Sequence, residues 1–353
     1  MNIRLILALL AGALLLFLAL ALLIGWFMSA PAYEGQKTDH FNGNTFVNYS
    51  GRGSNTFGDL IKWGLTREAD EWNHLPETEF EYGQIPETPD SGFSITFVNH
   101  ATFLIQTPEL AILTDPIWSK RASPFQFMGP QRYHPAGIRY EDVPDIDLVL
   151  ISHNHYDHLD RETILRIHES HDPIFIVPLG VDLYLKSLGI SKVTSLDWWD
   201  QEPLHDSLTV HCVPAQHFSS RGMFDRDKTL WAGYVLELSG QRVYFAGDTG
   251  YGNFFKDIGN RLGPFDVAMI PIGAYKPRWF MSPVHVSPEE AVQVHLDVKA
   301  RKSIGMHFGT FQLADDGQFE PVEDLKKALK QFKLPDSEFV TLSEGESIRT
   351  GTE

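Results

Sequence analysis

Residues 152–160 read SHNHYDHLD, crowding His153, His155, Asp157 and His158 into one turn directly after the apolar run DIDLVLI (145–151). Imidazole and carboxylate are the side chains that hold zinc at neutral pH when no thiol is offered. His153 and His155 are too close in sequence to share a helix face, where neighbours are three or four residues apart. In an irregular loop two imidazoles at that spacing converge on one ion, and Asp157 and His158 turn to a second. A catalytic zinc takes about three protein ligands and keeps one position open, so this loop alone is half a site.

The remaining ligands are sought at other strand ends. His217 closes VPAQH, Asp248 closes YFAGD, and His307 lies in IGMHFGT, each just past an apolar segment. That shared placement gives two triads, His153/His155/His217 and Asp157/His158/His307, with Asp248 as the carboxylate free to bridge. Glycines on both sides of Asp248 (AGDTGY) leave the backbone room there. Away from this set, His40, His74, His168, His171 and His205 read as solvated, and His295, on a helical segment, as packing. Cys212, the only cysteine, reads as a small buried hydrophobe; a single thiol excludes an intramolecular disulfide and a cysteine-built zinc site.

The elements that must position these residues are regular from Phe93 onward. β-Branched and aromatic runs predict strands at 93–99, 102–107, 110–115, 146–152, 174–178, 208–214, 232–239, 241–248 and 265–272. Helices are expected at 161–170, 287–298 and 321–332, the last two opening on proline and acidic residues. Early strands follow in hairpins and later ones alternate with helices, which predicts an α/β domain with mixed sheets. Three segments result: an anchor (1–30), a polar tether and arm (31–92) with a short helix near 57–65, and a hydrolase domain (93–353).

The N-terminal stretch LILALLAGALLLFLALALLIGWFM (5–28) is uncharged and long enough, as a helix, to cross about 30 Å of hydrocarbon. It exceeds the apolar core of a cleaved signal peptide, so it reads as a single-pass transmembrane helix, with cleavage at the small residues SAPA (29–32) as the alternative. Arg4 before it, and Glu34, Lys37 and Asp39 after it, place the body on the outer face of the membrane, the periplasm in a bacterium. The chain carries 46 acidic against 29 basic residues, a net charge of −17, and no dense basic run. That excludes a general nucleic-acid binder, which neutralises phosphates with clustered Lys and Arg. The loop AYKPRWFMSPV (274–284) offers Tyr275, Trp279, Phe280 and Met281 to an apolar substrate, and Tyr156 faces substrate from the histidine loop.

HNHYDH, AQH, GDTGY and HFGTF, in this order and spacing, resemble the metallo-β-lactamase superfamily. DPIWSKRASPFQFMGPQR (115–132), PAQHFSSRG (214–222), PIGAYKPRWFM (271–281) and HVSPEEAV (285–292) resemble one branch of it, the N-acyl-phosphatidylethanolamine-hydrolysing phospholipases D. Together these stretches cover about 93–320. The resemblance implies an αββα sandwich of two mixed sheets flanked by helices, two zinc ions at one edge, Asp248 between them, and Gln126 and His285 near a substrate phosphate. The sequence departs from the branch at Lys276, where an acidic residue is expected, and at Phe308, where tryptophan is common.

Two zinc ions about 3.5–4 Å apart would bind a bridging hydroxide and stabilise the attacking and leaving oxygens of a phosphodiester. No serine nucleophile elbow occurs, so water is expected to attack directly. Asp157 would orient the nucleophile, Asp248 hold the metals, and His285 contact phosphate or protonate the leaving group. The expected activity is a membrane-anchored phospholipase D-type phosphodiesterase acting on a phospholipid; a homodimer is among the assemblies this allows. The alternatives are a lactonase or other ester or amide hydrolase of the same superfamily, indifferent to Gln126 and His285, and a non-catalytic envelope protein clamped by zinc.

Overall fold

The computed structural model describes residues 3–51, 53, 55–204 and 208–350. One sheet contains β1 (Ser94–Asn99), β2 (Thr102–Gln106), β3 (Ala111–Thr114), β4 (Leu148–Leu150), β5 (Ile174–Pro178) and β6 (Val193–Leu196). The second contains β7 (Gln201–Leu204), β8 (Leu208–Pro214), β9 (Ala232–Leu238), β10 (Gln241–Phe245), β11 (Phe265–Pro271), β12 (Ala300–Met306) and β13 (Phe339–Thr341). A last strand, β14 (Ser347–Arg349), returns to pair with β1, so each sheet has seven strands. The helices are α1 (Ile3–Met28), α2 (Phe57–Thr66), α3 (Arg161–His171), α4 (Val181–Ser187), α5 (Phe254–Arg261), α6 (Arg278–Met281), α7 (Pro288–Val298) and α8 (Glu320–Phe332).

Both sheets are mixed, as expected. β1, β2 and β3 are antiparallel, whereas β3, β4, β5 and β6 run parallel. In the second sheet β8, β9 and β10 form a meander, and β10 to β13 are parallel. Side chains alternate between two apolar layers, as a period of two requires. Ile95, Phe97, Phe103, Ile105, Leu148 and Leu150 face the space between the sheets; Val98, Leu104, Val149 and Ile151 face outward onto α3 and α4. Burial on both faces explains why these strands read as continuous apolar runs. Helices α5, α7 and α8 cover the second sheet, with α7 against β11 and β12. The architecture is the expected αββα sandwich.

Strand direction then fixes the position of the site. β8 and β10 lie either side of β9 and run the same way, and β10, β11 and β12 are parallel. Their C-terminal ends therefore share one edge of the sheet, where crossover topologies place ligand sites. His217, Asp248 and His307 follow β8, β10 and β12 on that edge.

The segment 31–92 is seated on the body. Phe41 and Phe46 are only 1% and 2% exposed and belong to the inter-sheet core. Helix α2 starts with a capping box, Thr56 accepting from the Asp59 amide while Asp59 accepts from the Thr56 amide. It lays Trp63 flat on Phe280, with ring centroids 5.1 Å apart and 11° between planes.

Candidate metal centre

The loop after β4 is held at its root by Ser152, whose amide and hydroxyl both donate to buried Asp115, each at 2.6 Å. His153 Nε2 then lies 2.9 Å from His155 Nδ1, which lies 3.2 Å from His217 Nε2. Ligand atoms about 2.0–2.1 Å from a tetrahedral zinc are separated by about 3.3 Å, so these spacings suit one ion. His217 is fixed by Nδ1 against the Val284 carbonyl at 2.9 Å. Asn48, from the arm, accepts from the His217 amide at 2.9 Å and donates to its carbonyl at 3.0 Å.

The second set gathers around two carboxylate oxygens. Asp157 Oδ2 lies 3.1 Å from His158 Nε2 and 3.3 Å from His307 Nε2. Asp248 Oδ2 lies 3.2 Å from His158 Nε2, 3.1 Å from His307 Nε2 and 3.7 Å from His217 Nε2. A single oxygen of Asp248 therefore reaches donors of both triads. Gly247 makes this approach feasible. At φ +60° it occupies the left-handed region, and a Cβ there would stand 2.7 Å from Ser152 Cβ and 2.9 Å from the Ala232 carbonyl.

The electrostatics fit a cation. Burial depresses His153 and His217 well below the usual imidazole range, and His155 to about 4, leaving neutral rings with lone pairs to offer. Burial also opposes charge on His158, yet Asp248, Asp157 and Asp115 hold it well above that range. The same opposition leaves His307 at about 9, with Asp248 its strongest supporting neighbour. Burial works against Asp157 and Asp248 too, and the imidazole of His158 holds both well below the carboxylate range. Among the described residues, His307 Nδ1 and Asp248 Oδ1 are buried without a hydrogen-bond partner. An unpaired buried polar atom costs about 1–3 kcal/mol, which a bound metal would relieve. The nitrogen and oxygen donors suit zinc and other divalent ions of the first transition row.

Two residues of the centre escape the sequence reading. Asp115 accepts from His158 Nδ1 at 2.6 Å, which turns His158 Nε2 toward the carboxylates. His100 sits against Asp157 Oδ2 at 2.9 Å and packs its ring 4.0 Å from that of His307. Its ring belongs with Asp157, His158 and His307, all four donors lying within 4.8 Å of one another. Both residues carry the signal used for the others: Asp115 directly follows β3 and His100 directly follows β1.

The remaining expected residues divide. His285 joins the cluster, its ring 5.2 Å from His217 and 5.3 Å from His307, with Nδ1 buried and unpartnered. Ser287, two residues on, caps α7 with Glu290 and so fixes the chain leaving His285. Tyr156 donates to the Arg221 carbonyl at 2.9 Å, and together with Gln126 it lines a cavity of about 1020 Å³. Tyr275 is buried, its hydroxyl donating to Asp324 on α8 at 2.6 Å. Trp279 stays 44% exposed beside Lys62, whereas Phe280 and Met281 are buried in a cluster joined by Trp63 of α2. Lys276 pairs with Glu320, and Phe308 is buried and stacked on Phe97.

The other histidines also need correction. His40 is not solvated: it bonds Asp39 and Asp197 at 2.6 Å each and stacks on Trp198. His168 and His171 are half-buried near Asp172 and Asp145, whereas His74 is exposed as expected, its ring stacked on Tyr133 at 4.3 Å. His295 is packed as expected, bonded to Ser303 at 2.8 Å, and Cys212 is buried. His205 lies outside the described residues.

Comparison with known proteins bears on the fold and the family. The family described as Beta-lactamase superfamily domain matches residues 111–308. N-acyl-phosphatidylethanolamine-hydrolyzing phospholipase D 1 of Caenorhabditis elegans is 42% identical over 269 residues, covering 73% of this chain and 76% of its own. The mitochondrial N-acyl-phosphatidylethanolamine-hydrolyzing phospholipase D of Saccharomyces cerevisiae is 36% identical over 223 residues, 62% of this chain and 47% of its own. Igni18, a metallo hydrolase of the archaeon Ignicoccus hospitalis, superposes with a TM-score of 0.57 at 22% identity, over 74% of this chain and 100% of that one; this likeness concerns the fold. The chain belongs to the metallo-β-lactamase superfamily, in the branch of the N-acyl-phosphatidylethanolamine-hydrolysing phospholipases D, and is a metallo-hydrolase.

Proposed function

We propose that this protein is a membrane-anchored zinc phosphodiesterase that cleaves a phospholipid on the headgroup side of its phosphate, N-acyl-phosphatidylethanolamine included. The observation that carries the reading is Asp248 Oδ2, within 3.1–3.7 Å of His307, His158 and His217, so that two donor sets share one oxygen. His153, His155 and His217 would hold one zinc ion, Asp157, His158 and His307 the other, and Asp248 both. A bound pair supplies a nucleophile made from water at neutral pH and offsets the charge of the phosphate.

The protein's own side chains do the rest. Asp157, accepting from His100, is placed to orient the incoming oxygen. His285 is held neutral by burial, which lowers it to about 4, so its ring N–H can donate to a phosphate oxygen or to the departing one. Tyr156 and Gln126 line the cavity beside the metal loop and would touch the lipid, with Trp279 exposed for its chains, whereas Tyr275 is buried against Asp324. The apolar part of α1, Leu9–Met28, with mean hydropathy 2.6, is long enough to cross a bilayer and would keep the body at the outer surface.

The test is product analysis on mixed phospholipid vesicles with zinc-loaded protein. Phosphatidic acid, together with an N-acylethanolamine or another headgroup, is expected. Lactone hydrolysis with no phosphatidic acid from any lipid would replace this reading with a lactonase.

A further inference from the structure

The end of α1 is docked on the body, and the docking surfaces are built for close approach. Ala21 and Gly25 are four apart on one face of α1 and less exposed than the residues beside them, and Ser29, just past the helix end, is half-buried. Gly25 and Ser29 meet the loop 219–225. A Cβ on Gly25 would stand 2.8 Å from Met223 Cβ, and one on Gly222 would stand 2.5 Å from the Ser29 amide and 2.6 Å from the Gly25 carbonyl. Two glycines thus face each other where backbones touch. The Met223 amide donates to the Gly25 carbonyl at 3.3 Å, and the Phe224 amide to Ser29 Oγ at 3.1 Å. Asp225, buried, accepts from the Ala30 amide at 2.8 Å, and also from the Arg221 and Gly222 amides. One carboxylate therefore ties Ala30, two residues past the anchor helix, to the loop beneath it.

This clamp leaves a cavity between the helix end and the body, about 1020 Å³ in volume. Leu23, Ile24 and Phe27 form one wall, and Phe125, Tyr156 and Tyr184 stand opposite. The first wall is the last part of the apolar span itself. The second reaches Tyr156, which lies between His155 and Asp157 of the metal loop. Nearby, Phe127 in ring contact with Phe125, and Met223 and Phe224 against Gly25 and Ser29, are exposed apolar side chains, as are Trp26 and Phe27 of the helix. Apolar and aromatic groups so grouped suit the interface of a bilayer.

We propose that this cavity is an acyl-chain site that receives a phospholipid from the leaflet bordering the C-terminal end of α1. The clamped helix serves as one of its walls and holds the metal centre over the membrane. The inference rests on the reading of α1 as a membrane span and of a lipid as substrate, but it concerns binding and needs no turnover.

The test uses the full chain in phosphatidylcholine vesicles containing phosphatidylcholine with a photoactivatable diazirine near one chain end. Metal is removed with a chelator, so hydrolysis is off. After irradiation, adducts are expected on peptides carrying Phe125, Tyr156 and Tyr184 as well as on α1. Ser187→Arg, which sets a charge at an exposed rim position, and Gly222→Leu, which wedges the helix away, should each cut the Phe125, Tyr156 and Tyr184 adducts at least about fivefold. Adducts along residues 9–22 should not change. Adducts on α1 alone, or labelling untouched by Ser187→Arg, would overturn the site. A protein labelled in the cavity that releases no phosphatidic acid after zinc is restored keeps the site and loses the proposed activity. One that hydrolyses lipid but labels only on α1 does the reverse.

Discussion

Asp115→Asn isolates how the second ion's ligands are aimed. Asp115 Oδ1 accepts the Ser152 amide, and Oδ2 accepts both the Ser152 hydroxyl and His158 Nδ1, all at 2.6 Å. Asparagine keeps the shape but offers one oxygen. If that oxygen stays with His158, the new NH2 faces the Ser152 amide, and a buried donor goes unpaired at about 1–3 kcal/mol. If it flips, the NH2 faces His158 Nδ1, the ring proton moves to Nε2, and that nitrogen is lost as a ligand. Carboxylates behind metal-binding histidines are worth about 10–100-fold in affinity, or about 1.4–2.7 kcal/mol. Competition with a chromophoric chelator, resolving two binding constants, is the assay. The ion held by Asp157, His158 and His307 should weaken 10–100-fold, and that held by His153, His155 and His217 by no more than about threefold. Urea unfolding of the metal-free variant controls for lost fold. Equal weakening of both ions in a folded variant, or of neither, would refute the assignment of His158 and the role of Asp115.

Three further outcomes follow from the same geometry. Gly247→Ala forces a Cβ against Ser152 and the Ala232 carbonyl at positive φ, and should destabilise by about 1–3 kcal/mol in urea titrations; a variant as stable as the parent would show that this close approach is not required. Asp248→Asn should lower bound metal and hydrolysis together, measured by elemental analysis and turnover, and full activity would remove the bridging role. His158 and His307 are held protonated at pH 7 without metal, the first well above its ordinary range and the second at about 9, so loading both ions must displace those protons. Calorimetry in buffers of different ionisation enthalpy should count at least about two protons released at pH 7. The count should fall as the pH is raised through about 9, where His307 has already lost its proton. No release at pH 7 would contradict the charge state given to this pair.

Much of the centre was legible because its residues obey one rule, a ligand-type side chain one to three residues past an apolar strand. That rule gathers His153, His217, Asp248 and His307, and applied evenly it also reaches His100 and Asp115. What it cannot convey is the second contact of each side chain, such as Asn48 holding His217 across 169 positions. The strands with both faces buried were readable, whereas β6, β7, β13 and β14 were not. These are sheet edges, short and half-exposed, and β7 carries Pro203. β12 hides for a related reason: its first half, Ala300–Lys302, is charged and partly exposed, and only the second half is buried. The short helices α4 and α5 lack the length that makes a period visible, and α5 contains Gly259.

The central claim, direct attack of water on a phospholipid phosphate at a two-metal site, is tested by hydrolysis of vesicle phospholipid in ¹⁸O-labelled water. Zinc-loaded protein should release phosphatidic acid carrying one solvent oxygen, with none formed in chelator and no alcohol adduct when a primary alcohol is added. Label in the released headgroup, or transfer of the phosphatidyl group to the alcohol, would contradict it.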